Sequence, residues 1–146
     1  MRFLERGRLI RLSLQAGALL GVDVPEATAQ EMGRIETFGE NGRMYAPDRY
    51  LISRQSYGSE DSTGYEGKFR VVKRYDGGGY EVETFDYIAR CRSVDAENSI
   101  TTFPQGDHQK ILASVSIDRQ KRPPASLRNA FNLFWAVCDG QFQKFK

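Results

Sequence analysis

"KFRVVKRYDGGGYEVETFDYIARC", residues 68–91, decides the fold. Two runs rich in β-branched and aromatic residues flank Asp76-Gly77-Gly78-Gly79, where glycines accept the positive φ angles of a tight reversal. The pattern predicts a long antiparallel hairpin around residues 69–91. In its second strand Phe85, Tyr87, Ala89 and Cys91 share a parity and therefore one face, an aromatic row that reads as core-facing. The three glycines are not a phosphate loop, because the G-x-x-x-x-G-K-S/T spacing and a following helix are both missing.

Upstream, a first strand is expected around Tyr50 to Arg54, entered through Pro47, whose missing N–H suits a strand entry. "GSEDSTGYEG", residues 58–67, reads as a polar loop; it lacks the ligand spacing and terminal Glu of a calcium loop. Downstream, a short strand is expected around Ile100 to Phe103. "ILASVSI", residues 111–117, reads as a further strand, apolar enough to lie inside the sheet, before "DRQKRPP" breaks it.

The last element has clear punctuation. Pro123-Pro124 opens a helix, because a proline in the first turn forfeits only an amide that would be unpaired, and Gly140 closes it in the left-handed position. Leu127, Phe131, Phe134 and Cys138 form one apolar stripe, widened by Ala130 and Trp135. The expected fold class is α+β: an antiparallel β-sheet of about four to six strands, covered by a C-terminal helix over about residues 124–139.

The N-terminal stretch "LSLQAGALLGVDVPEATAQ", residues 12–30, has the parts of a secretory signal. Arg2, Arg6, Arg8 and Arg11 precede an uncharged run, and Ala27-Thr28-Ala29 supplies the small-residue cleavage pattern. Residues 1–29 are therefore expected to be a signal peptide cleaved near Ala29, leaving residues 30–146 as one small α+β domain in the periplasm or outside the cell. The competing reading is an amphipathic helix packed on the domain through Leu9, Leu12, Ala16 and Leu19/Leu20. The apolar run falls short of the ~20 residues that cross a bilayer, so no stable membrane span is expected.

Cysteine usage agrees with export. Cys91 and Cys138 both lie beyond the cut, and an even count in a small exported domain is the pattern of a structural disulfide. Two free buried thiols are the alternative. No metal site is expected: there is no C-x-x-C, and the single histidine, His108, sits in the polar segment "PQGDHQK" and reads as a surface residue. The net charge is +2, so no global field draws in nucleic acid or anionic membrane. The basic runs "KFRVVKR" and "DRQKR" read as solvated surface, with Glu81 and Glu83 expected opposite the first.

For catalysis, Asp86, Asp95, Glu97, Asp107 and His108 are the available groups, but they carry no arrangement that separates catalytic from solvated carboxylates. No catalytic residue, cofactor or metal is assigned, and alanine at each of these positions is expected to leave the fold intact.

A strand ending in cysteine, "EVETFDYIARC", and a proline-led helix ending in cysteine, "PPASLRNAFNLFWAVC", together resemble the surface-adhesin protein E family of small exported bacterial proteins. The resemblance covers residues 69–138. It implies an antiparallel sheet tied by a disulfide to a C-terminal helix, and binding of host extracellular components. The "DGGGY" turn, the "QFQKFK" tail and the lack of a lipoprotein cysteine near the start are departures from that family. The expected function is thus a non-enzymatic binding domain whose partner is a protein or a host or envelope component. A periplasmic inhibitor or immunity protein is the alternative, and a small hydrolase a more distant one.

Overall fold

The computed structural model describes residues 31–38, 47–58 and 63–146. The signal segment 1–29 and its cleavage point lie outside the described residues. Six strands, β1 (Gly33–Ile35), β2 (Asp48–Tyr57), β3 (Gly64–Arg74), β4 (Tyr80–Arg90), β5 (Asn98–Pro104) and β6 (Ala113–Ile117), form one antiparallel sheet in sequence order. A 3-10 turn at Ala125–Leu127 leads into the helix α1 (Arg128–Asp139). This is the expected sheet covered by a C-terminal helix.

The hairpin is longer than its sequence pattern suggests. Arg74 pairs with Tyr80 across the turn and Gly64 with Arg90 at the far end, so residues 64–67, read above as loop, belong to β3. Glycine is required at Gly67 by close approach: a Cβ there would lie 2.1 Å from the Ser53 carbonyl oxygen. β2 shifts register between Leu51 and Ser53, which brings that carbonyl inward to accept the Tyr87 hydroxyl at 2.8 Å. Burial pushes the Tyr87 phenol far above its ordinary range, so it remains a donor.

Parity assigns the faces. Tyr87, Ala89 and Cys91 are buried as expected, Phe85 stacks on Phe69 of the facing strand at 5.3 Å between ring centroids, and Leu51, Val71 and Ile100 join them. Against this face α1 buries an unbroken run from Phe131 to Val137. The run is wider than the expected stripe because the tail packs over the helix: Phe145 is buried, edge-on to Phe131 at 6.2 Å. Gly140 (φ 69°) ends α1 as expected, its amide donating to the Ala136 carbonyl at 3.1 Å.

Cys91, one residue beyond β4, and Cys138, in the last turn of α1, form a disulfide with Cα atoms 5.6 Å apart. One strand assignment needs correction: β6 is an edge strand paired only with β5 among the described strands, not an interior one. Ile117 is buried, whereas Ala113, Ser114 and Ser116 are exposed.

Candidate functional site

The sheet face opposite α1 carries a charged cluster around Asp86. Strand parity turns this side chain away from Tyr87 and toward the 104–110 loop, where the residue is 5 % exposed. Lys68, directly across the hairpin, donates from Nζ to Oδ1 at 2.7 Å. Oδ2 accepts the Gly106 amide at 2.9 Å and lies 2.8 Å from His108 Nε2. A carboxylate only accepts, so Nε2 must carry the imidazole proton. The ring stacks on Phe103 at 4.7 Å between centroids.

Burial by itself raises the Asp86 pKa. The hydrogen bonds from Lys68, Gly106 and His108, with the Lys68 charge, outweigh it and hold the carboxyl below its ordinary value. The group is thus an ionised tether that fastens a loop to the sheet. Asp86 is buried and bonded rather than solvated, and it gives His108, half exposed, a fixed orientation. The hydrogen bond given for the imidazole among the described residues is the one to Asp86.

The other acids lie elsewhere. Asp95 and Glu97 line an open groove of about 480 Å³ at the end of the sheet, together with Arg90, Ser99, Ser116 and Asp118. Asn98 also lines it, and its Oδ1 accepts the Arg92 amide at 2.6 Å and Arg119 Nε at 3.2 Å. Glu97 meets Arg90 at 3.5 Å on the surface. Asp107 serves its own loop by accepting the Gln109 amide at 3.2 Å. Of the five candidate groups, Asp86 and His108 meet and Asp95 and Glu97 share the groove, but the five do not gather in one site. Among the described residues no cluster of His, Cys, Asp and Glu is arranged to hold a metal ion, and no helix is long and apolar enough to cross a membrane.

The basic runs are largely engaged. Lys68 bonds Asp86, Arg70 meets Glu31 at 3.3 Å, Lys73 meets Glu83 at 3.6 Å and Arg74 meets Asp48 at 3.5 Å. In the second run Arg119 bonds Asp139 at 2.9 Å and lies over the Phe134 and Trp135 rings, which makes it a clamp between β6 and α1. Composition could not separate this clamp from solvated charge. No family model, curated protein or solved structure matches this chain.

Proposed function

We propose that this chain is an exported binding domain, periplasmic or secreted after cleavage near Ala29, which recognises a protein or an envelope or host-surface component without chemical turnover. The observation that carries the reading is the Cys91–Cys138 disulfide, because such bonds persist in oxidising compartments and brace small exported domains. The signal-like segment 12–30 points the same way, and so does the resemblance to the surface-adhesin protein E family over residues 69–138. The Asp86 cluster adds a mechanism. A loop fastened at Gly106 and His108 is ordered before any partner arrives, so binding loses less conformational freedom there.

Expression of residues 1–146 in a Gram-negative host tests both halves of the reading. The expected product is an envelope protein starting at or near Gln30, with both thiols oxidised, that binds saturably to envelope or host-matrix fractions. A cytoplasmic protein with Met1 intact would sink the export half. A substrate screen in which His108→Ala abolishes turnover would overturn the binding half.

A further inference from the structure

The two edges of the sheet are finished differently. Beside β1 the Glu36 amide donates to the Phe142 carbonyl at 2.8 Å, and a Cβ on Gly33 would meet the Phe142 ring at 2.9 Å, so the tail lies over that edge. At the opposite edge, among the described residues, no strand pairs with the outer side of β6. Along an edge strand alternate residues turn their amide and carbonyl outward, and natural sheets shield such a row with charges, prolines or bulges. β6, Ala113-Ser114-Val115-Ser116-Ile117, carries neither charge nor proline and pairs with β5 at every residue. The chain turns directly after it, the Lys121 amide donating to the Asp118 carbonyl at 3.2 Å. The exposed side chains on β6, those of Ala113, Ser114 and Ser116, are small.

Beside this row lies the groove described above. Arg90, Ser99 and Ser116 stand opposite one another across β4, β5 and β6, and all three line it. Its charge is one-sided. Arg90 meets Glu97, whereas Asp95 and Asp118 form no ion pair among the described residues, so the lining keeps an excess of acid in a chain whose net charge is +2.

We infer, on the binding reading above, that the β6 edge takes an extended segment of a partner protein as an added strand, with a lysine or arginine of that segment seated in the groove. Main-chain bonds to the open row supply attraction that any polypeptide offers, and the side chains that fall on the groove side supply selectivity. A sugar or a lipid has no amide row to match the edge. A residue added opposite Ser116 continues the row of Arg90, Ser99 and Ser116, so its side chain leaves the sheet on the groove side. Neighbouring strands lie about 4.8 Å apart, so a long cationic side chain there can lie back over Ser116 into the groove that Asp95 and Asp118 line. An acidic side chain in that place would meet like charge.

Titration of the oxidised, isotope-labelled protein with heptapeptides of alternating threonine and valine, a single lysine moved through the positions, tests this by NMR. The expected result is saturable binding with the largest amide shifts in residues 113–117 and in the groove. Replacing the lysine of the best binder by glutamate should weaken it about tenfold or more. N-methylation of alternate peptide amides should abolish binding in one phase and spare it in the other, because only one set faces β6. Asp118 accepts the Gln120 amide at 2.9 Å, so the deciding variant is Asp95→Lys with Asp118→Asn, which keeps an oxygen for that amide and should reverse the preference from the lysine to the glutamate peptide. If the amides of 113–117 stay unmoved throughout the set, the inference is overturned, and a protein that still binds envelope or host-matrix fractions would leave the binding reading standing without it. Binding indifferent to N-methylation in either phase, or a preference for lysine that survives the charge change, would overturn it too.

Discussion

Asn132 and Phe145 hold each other by two hydrogen bonds in a site closed to solvent: the Phe145 amide donates to Oδ1 at 2.9 Å, and Nδ2 donates to the Phe145 carbonyl at 3.0 Å. Nδ2 also reaches the Glu36 carbonyl at 3.3 Å. One side chain on α1 thus fastens both the tail and the segment after β1. Its neighbour Asn129 works in the same manner on Phe38, donating to the carbonyl at 3.0 Å and accepting the amide at 2.9 Å.

Asn132→Ala should therefore cost about 2–3 kcal/mol, because main-chain groups of Phe145 lose their partners in a buried place. Asn132→Asp should cost more at neutral pH, since a buried carboxylate cannot donate to either carbonyl and its charge is uncompensated. Chemical denaturation of the two variants at pH 7 checks the order.

The disulfide closes a separation of 47 residues. The chain-entropy argument puts its contribution at about 4 kcal/mol as an upper value. Cys91→Ser and Cys138→Ser should lower the melting temperature steeply and to a similar extent, and the double variant should be little worse than either. Calorimetry of the three variants reads this directly.

Asp86 predicts a pH dependence. Its folded pKa is depressed, so its stabilisation is fully present above the unfolded value of about 3.9 and is lost as pH falls through the folded value. Asp86→Asn should cost about 1–3 kcal/mol at pH 7, with a gap from native protein that narrows under acid. Denaturation midpoints measured from pH 7 down to acid would refute the tether if the gap stayed constant.

Gly67→Ala should destabilise near the top of the ~1–3 kcal/mol range for overpacking, because the added methyl group meets the Ser53 carbonyl carbon and oxygen, which are backbone and cannot swing aside. Gly77→Ala and Gly79→Ala, where nothing lies within 4 Å, should be nearly silent. Parallel melts of the three variants make the comparison.

The hairpin, the helix and the row ending in Cys91 were legible in the sequence because each is written in local periodicity. The start of β3 was not. Gly64 and Gly67 read as loop residues, and the reason for them is a carbonyl on another strand. For the same reason Asp86 looked like any acid on an alternating strand: its burial comes from a loop about 20 residues downstream. β6 misled in a different way, since an apolar strand at an open edge and one inside a sheet have the same composition. Asn132 sat in an apolar run with no periodic meaning, because its partners lie 13 and 96 residues away.

The meander order of the strands has a kinetic consequence. Each strand neighbours only those adjacent to it in sequence, so the sheet can assemble hairpin by hairpin with little loop to close. The distant contacts, such as Asn129 with Phe38 across 91 residues, form only when α1 docks. Cys138 travels with that helix. This order predicts that the brace closes in the final step of folding, with Cys91 until then a free thiol at the end of a finished strand. In an oxidising compartment that interval is when mixed disulfides form, and alkylation during oxidative refolding should trap both cysteines in a species that already has its sheet.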